Sequence, residues 1–153
     1  MQSQLVRLFE DRFGVPPTAI LEIGGDGSSR SYWRLVGPDH ETAVGAVGPN
    51  REENRAFFAF TRAFRDIGLP VPELYGVDED AGIWLLEDLG DTTLYDALTL
   101  HRGRSGEQFP SRVEDLYRRV VEVLPRFQVE GPQAVDFRFA YPRAAFDRQS
   151  MLW

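Results

Sequence analysis

The chain has no cysteine and no lysine, and it has only 2 histidines among its 153 residues. The absence of cysteine excludes disulfides, thiol nucleophiles and thiolate metal sites. Because all 17 basic residues are arginine, no lysine can act as a Schiff base, a general base or a phosphate-binding point charge. His40 and His101 are too far apart in the sequence to predict a histidine-rich metal site.

Long apolar runs and an excess of positive charge are also missing. No apolar stretch approaches the ~20 residues that a membrane-spanning helix needs, so we expect no membrane partner and a cytoplasmic location. The 24 acidic residues outnumber the basic ones and give a formal net charge of −7. This charge argues against a nucleic-acid partner, because the phosphate backbone requires a basic surface. The sequence predicts no particular oligomeric state.

A glycine-rich segment separates two strand-like runs near the start of the chain. Three glycines and two serines lie in residues 24–29, between the apolar run 19–23 and the alternating run 32–36. Because glycine has no Cβ, the backbone N–H groups of such a turn can approach an anion and form a nest for phosphate. Arg30 and Arg34 add cationic donors beside it. Taken alone, the segment is more typical of an ordinary hairpin turn.

Periodicity and turn residues predict an α+β fold with a five-stranded antiparallel sheet. A leading helix precedes the first strand and ends at Gly14. A second helix follows the third strand and ends at Gly68. The strands are predicted at residues 19–23, 32–36, 42–47, 74–77 and 83–86.

Two predictions of side-chain burial follow from these periods. Adjacent residues of a strand face opposite sides of the sheet, so we expect one of Tyr32 and Trp33 in the core and the other at the surface. In the second helix, residues three or four positions apart share a face. Its apolar face is predicted to consist of Phe57, Phe60, Phe64 and Ile67.

The chain becomes helical after the fifth strand. Thr92 or Thr93 is expected to cap a short helix, and residues 101–108 are expected to form a polar loop. A longer helix opens at residues 110–111, and Pro125 is expected to kink or shorten it. The last three residues are large and apolar, which favours a piece of a longer protein that is cut within a helix.

Four segments of the chain together resemble a known family. They are Gly27-Ser28-Ser29-Arg30-Ser31-Tyr32-Trp33-Arg34-Leu35, Glu53-Asn54-Arg55-Ala56-Phe57, Gly68-Leu69-Pro70-Val71-Pro72-Glu73-Leu74-Tyr75 and Trp84-Leu85-Leu86-Glu87-Asp88-Leu89-Gly90. The chain resembles the aminoglycoside phosphotransferase and choline kinase superfamily, and within it the bacterial kinases of N-acetylated amino sugars. The resemblance implies a protein-kinase-like fold, with a nucleotide-binding lobe and hinge at residues 1–90 and the start of a helical lobe at residues 91–153. It also implies ATP, Mg²⁺ and phosphoryl transfer to a hydroxyl of a small molecule, and it leaves amino-sugar, aminoglycoside and choline-like acceptors open.

The resemblance assigns site residues to this chain. The loop over the nucleotide phosphates would consist of Gly25, Gly27, Ser28, Ser29 and Arg30. The hinge that contacts adenine would consist of Leu86, Glu87, Asp88 and Leu89. Glu53 is the candidate for the helix carboxylate that pairs with a strand lysine in this fold, and the adjacent Glu52 stays open as an alternative.

Two features of the family are missing from the sequence. The strand lysine would fall near Val44-Gly45-Ala46, so Arg30, Arg34 or Arg51 supplies the charge, or the loop backbone and Mg²⁺ act without it. The catalytic His-x-Asp segment and the later metal-binding aspartate are absent, so we expect no catalytic and no metal-binding residue in this chain. It is expected to bind nucleotide weakly and to transfer no phosphate by itself. A non-catalytic pseudokinase and an α+β interaction module remain as alternatives.

Overall fold

The computed structural model describes residues 1–24, 29–105 and 111–145. It contains five α-helices, five strands and one 3-10 turn, in the order α1 (Gln2–Phe13), β1 (Ala19–Ile23), β2 (Ser31–Val36), β3 (Thr42–Val47), α2 (Arg51–Asp66), β4 (Leu74–Asp78), β5 (Ile83–Glu87), α3 (Leu94–Ser105), α4 (Ser111–Val129), α5 (Gly131–Ala134) and the 3-10 turn Phe137–Phe139.

The five strands form one antiparallel sheet in the order β1-β2-β3-β5-β4. This arrangement confirms the prediction of an α+β fold with a five-stranded antiparallel sheet. The β4–β5 hairpin turns at Gly82, whose φ of +65° favours glycine. A Cβ at Gly82 would also lie 2.6 Å from the carbonyl oxygen of Gly48, so the hairpin packs directly against the end of β3.

Helix α1 covers one face of the sheet. Leu5 and Phe9 of α1 are fully buried in a cluster with residues of β2, β3 and β5. A Cβ on Gly45 would lie 2.7 Å from a methyl carbon of Leu5, so the missing side chain lets α1 approach β3 closely. The sheet residues buried in this cluster are Leu35, Ala43, Ile83 and Leu85.

Helix α2 covers the opposite face of the same sheet. Phe58 of α2 and Trp84 of β5 are buried there with Ala46 and Leu86. Tyr32 packs on this cluster, whereas Trp33 packs on the α1 cluster, and both side chains are half-buried. The prediction that one of the two lies at the surface is therefore wrong, because helices cover both faces of the sheet.

The buried side of α2 also differs from its prediction. Asn54, Ala56, Phe58 and Thr61 are the buried residues of α2. The ring of Phe60 instead lies 6.3 Å from that of Phe137 and 6.1 Å from that of Phe64. The apolar side of α2 is therefore shared between the sheet cluster, on which Phe57 packs, and the segment after α5, which packs on Phe60.

The structure divides into two compact units, of which the second is Leu89–Ala134. Thr93 caps α3: its hydroxyl accepts a hydrogen bond from the Asp96 amide, and Thr93 donates through its own amide and hydroxyl to the Asp96 carboxylate. The hydroxyl bond, followed by the amide bond, holds the pKa of Asp96 below its ordinary value.

One prediction for this second unit is wrong. Residues 101–105 belong to α3 rather than to a loop, and residues 106–108 of the predicted loop lie outside the described residues. Helix α4 contains Pro125 and continues to Val129, so the proline does not shorten it. No helix in the described part of the chain is both long and apolar enough to cross a bilayer.

Candidate functional site

Arg30 lies directly before β2, at the end of the glycine-rich segment. Side chains alternate along a strand, so residues 30, 32 and 34 share the face of the sheet that α2 covers. The Arg30 guanidinium Nη2 lies 3.0 Å from Glu53 Oε1 on α2. Only 13% of the Arg30 side chain is exposed, compared with 39% of the Glu53 side chain. The strand and the helix therefore bring one cation and one carboxylate together beside the glycine-rich segment.

Two aromatic rings hold the Arg30 guanidinium in place. Its Cζ lies 5.1 Å from the ring centroid of Phe57 and 5.4 Å from that of Trp84, which are distances of a cation–π interaction. Phe57 follows Glu53 by one helical turn, so both project from the same side of α2. Trp84 pairs with Ala46 in the sheet register, and it belongs to the cluster on the α2 side of the sheet, where Arg30 contacts its ring.

The charged residues among the site candidates have different partners in the structure. Glu53 contacts Arg30, whereas Glu52 is exposed in the first turn of α2. Arg51 pairs with Asp80 in the turn between β4 and β5, and Arg34 pairs with Asp88. Of the three candidate arginines, Arg30 is the one that contacts the helix carboxylate.

Arg34 and Asp88 form a bidentate ion pair at the other end of β2. Arg34 Nε donates to Asp88 Oδ2 at 2.6 Å, and Arg34 Nη2 donates to Asp88 Oδ1 at 2.9 Å. Only 19% of the Arg34 side chain and 5% of the Asp88 side chain are exposed. A bidentate pair fixes the relative orientation of its two side chains in addition to pairing their charges. The pair therefore holds Asp88, the residue after β5, against β2.

We expect Asp88→Asn to destabilise the fold by about 1–3 kcal/mol, because a largely buried arginine loses its charged partner. The measurement is the urea midpoint at unchanged m-value. Asp80→Asn is the matched control, since Asp80 also pairs with an arginine but 88% of its side chain is exposed. Exposed pairs contribute little, so equal losses in the two variants would contradict a structural role for the Arg34–Asp88 pair.

The remaining hinge candidates differ in their surroundings. Leu86 is 7% exposed and belongs to the cluster that it forms with Ala46, Phe58 and Trp84 under α2, here called the α2-side cluster. Glu87 donates its amide to the Glu73 carbonyl and accepts the Glu73 amide on its carboxylate. These bonds make Glu87 a residue that joins β5 to the chain before β4. Leu89 belongs to the second unit, and its side chain is 70% exposed.

The predicted phosphate loop lies partly outside the described residues. Gly25, Gly27 and Ser28 fall in this part, whereas Ser29 is described and exposed. Within the described ranges, no group of three histidine, aspartate or glutamate side chains is placed to hold a metal ion. The described part of the site therefore consists of the Arg30–Glu53 pair, its two aromatic neighbours and the end of β5.

The aromatic part of this site was not predicted from the sequence. Phe57 and Trp84 were assigned to a helix face and a strand, and neither was proposed to contact a charged residue. One signal was present in the sequence, because Phe57 follows the candidate carboxylate by four positions. The contact with Trp84 depends on the register of β5 against β3, which the sequence alone does not specify.

Comparisons with known proteins give two significant relatives and no matching family model. The chain is 32% identical over 117 residues to an N-acetylmuramate/N-acetylglucosamine kinase of Pseudomonas aeruginosa, an alignment that covers 74% of the chain and 34% of that protein. It is 28% identical over 171 residues to the protein of the same name from Pseudomonas putida, covering 99% of the chain and 50% of that protein. The chain therefore spans between a third and half of the length of these relatives, and the similarity supports a relationship to sugar kinases.

Proposed function

We propose that this chain is the ATP-binding portion of a phosphotransferase that phosphorylates a hydroxyl of an N-acetylated amino sugar. The Arg30–Glu53 pair beside the glycine-rich segment is the observation that carries this proposal. A kinase of this fold uses a lysine–carboxylate pair to hold the nucleotide phosphates, and here an arginine takes the place of the lysine. The names of the two relatives give the proposed class of acceptor.

The phosphate end of the proposed site is residues 24–30. Arg30 can donate two parallel hydrogen bonds to phosphate oxygens, because its guanidinium is a planar fork. Its contacts with Glu53, Phe57 and Trp84 hold this fork before any ligand arrives, which lowers the entropy lost on binding. The backbone of Gly25, Gly27, Ser28 and Ser29 is proposed to cover the phosphates.

The adenine end of the proposed site lies where β5 ends. Val44 and Leu86 face the α2 side of the sheet and offer apolar contact to a base. The backbone of residues 86–89 is proposed to read the edge of the base. The carboxylates of Glu87 and Asp88 form ion pairs with Arg65 and Arg34, so we assign these two side chains to holding the hinge in position.

Mg²⁺ is proposed only as the ion that accompanies the nucleotide phosphates. The described residues contain no three-carboxylate or histidine cluster for a metal ion, so they do not fit a metal site of the protein's own. The sequence also has no His-x-Asp segment. We therefore propose that the chain by itself binds nucleotide without transferring phosphate. Residues 1–90 are proposed as its nucleotide-binding domain and residues 91–153 as the start of a helical domain, of which residues 137–141 contact α2 and its N-cap.

A non-catalytic nucleotide-binding protein is the second candidate function. Residues Val44, Gly45 and Ala46 of β3 stand where a kinase of this fold carries its lysine, and this substitution favours the alternative. A third candidate is an α+β interaction module, which would have the same sheet and helices but would bind no nucleotide. Nucleotide binding distinguishes this module from the other two functions, and phosphate transfer by a longer form of the protein distinguishes the kinase from the non-catalytic protein.

The proposal predicts that Mg·ATP raises the melting temperature of the chain. At about ten times its Kd, a ligand that binds only the native state adds about 1.4 kcal/mol, which corresponds to a rise in Tm of about 3–5 °C. The measurement is a thermal-shift titration with ATP, ADP and adenosine. Adenosine is the control, because it lacks the phosphates that Arg30 is proposed to bind. An unchanged Tm at millimolar ATP would contradict the proposed nucleotide site.

A further inference from the structure

The first turn of α2 is connected to a segment far along the chain. Asn50 caps α2, and its Oδ1 accepts a hydrogen bond from the Glu53 amide at 3.0 Å. Its Nδ2 donates to the Tyr141 hydroxyl at 2.8 Å, across 91 positions of sequence. A backbone amide can only donate, so the same asparagine must direct its NH₂ group toward Tyr141.

A second contact joins the same segment to the middle of α2. The ring of Phe137 lies 6.3 Å from that of Phe60 at an interplanar angle of 76°, which is an edge-to-face arrangement. Residues 137–141 therefore hold α2 at two points, one at its N-cap and one nearly three turns further along. The face of α2 that carries Glu53 and Phe57 stays directed at the sheet, where both contact Arg30.

We propose that Tyr141 is a positioning residue that holds the N-terminus of α2 through Asn50, so that Glu53 keeps Arg30 oriented toward the nucleotide phosphates. This inference rests on the proposed nucleotide site. The path from Tyr141 runs through Asn50 to Glu53 and from the Glu53 carboxylate to Arg30, and each of its three contacts between residues is 3.0 Å or shorter. Within the described part of the chain, Tyr141 is linked to the proposed site through its hydrogen bond with Asn50, so its effect acts through the helix.

The inference predicts that Tyr141→Phe weakens ADP binding about three- to fivefold, the value of one modest hydrogen bond, and leaves adenosine binding unchanged. Asn50→Ser is the second variant, because serine caps a helix about as well as asparagine but is too short to reach Tyr141. It is expected to give the same loss. Calorimetric titration of the 153-residue chain with ADP and with adenosine measures both affinities.

The double variant tests whether the two residues act as one unit. If they do, Tyr141→Phe combined with Asn50→Ser weakens ADP binding no further than either change alone. Hydrogen exchange of the first-turn amides of α2 is expected to rise in all three variants. Tyr95→Phe is the matched control: the Tyr95 side chain belongs to α3 and is exposed, so neither measurement should change.

The possible failures of the two proposals are distinguishable. If the unaltered chain binds ADP no better than adenosine, the proposed function is wrong and the inference falls with it. If the unaltered chain prefers ADP and Tyr141→Phe leaves that preference intact, the inference alone is overturned. Additive losses in the double variant, or a parallel loss of adenosine affinity, would also overturn it, because Tyr141 would then act on general stability.

Discussion

Arg30→Ala is expected to weaken ADP and ATP binding about 10- to 100-fold, because hydrogen bonds to charged groups contribute about 1.5–3 kcal/mol. Adenosine should bind as before, since it has no phosphate. The loss has a structural cause as well as an electrostatic one, because Phe57, Trp84 and Glu53 orient the guanidinium. The chain also has no lysine that could take over the contact with phosphate. Calorimetric titration measures the affinities.

The control for this experiment is an arginine in similar surroundings on another element. The Arg12 Cζ lies 4.4 Å from the Tyr75 ring centroid, and its Nη2 lies 4.0 Å from a Glu73 carboxylate oxygen. Arg12→Ala should therefore remove comparable contacts without changing ADP affinity. Arg30→Lys should give an intermediate loss, because lysine keeps the charge but not the planar fork. Equal ADP affinities of Arg30→Ala and the unaltered chain would rule out the proposed phosphate contact.

Trp84→Ala is expected to destabilise the fold by about 3–5 kcal/mol, the cost of replacing a fully buried large aromatic side chain with alanine. Trp84 is 0% exposed, and its ring contacts those of Phe57 and Phe58 at centroid distances of 5.8 and 5.3 Å. The cavity would lie between the sheet and α2. The corresponding fall in Tm is about 10 °C or more for a chain of this size.

Two further variants separate burial from the chemistry of the indole. Trp84→Phe should cost about 1 kcal/mol, since it loses ring area but removes a buried N–H that has no hydrogen-bond partner among the described residues. Trp33→Ala is the matched tryptophan control on the α1 face, where the side chain is half-buried. It should cost about half as much as Trp84→Ala. If Trp33→Ala lowered the free energy of unfolding more than Trp84→Ala, the α2-side cluster would not contribute more to stability than the cluster under α1.

Much of the fold could be predicted from local patterns. The five strands and α2 lie where alternation, helical spacing and the Gly and Pro residues placed them, because each of these signals acts within a few residues. Predictions failed where distant elements decided the result. Both Tyr32 and Trp33 are half-buried because a helix covers each face of the sheet, and Phe60 contacts Phe137 rather than the sheet.

Some parts of the candidate site could likewise be predicted from the sequence, and others could not. The glycine-rich segment, the end of β5 and the two candidate carboxylates Glu52 and Glu53 were identified in the sequence, which left the choice between the two open. The aromatic contacts of Arg30 and the role of Asp88 as a partner of Arg34 were not. Arg34 and Asp88 are 54 positions apart, and their contact requires β2, β3 and β5 to pair in one register. No local pattern reports such a pairing.

The sequence by itself determined that arginine is the side chain with which this chain could offer a permanent positive charge to a phosphate, because the chain has no lysine. It also determined the order of strands and helices along the chain, because the periodicity and the turn residues that indicate each element involve only neighbouring residues. Only the tertiary structure showed that Arg30, Arg34 and Arg51 each pair with a different carboxylate, and that Arg30 is the one paired with Glu53 of α2. The physical reason is that an ion pair depends on distance in space, and the sheet register together with the packing of α2 sets that distance.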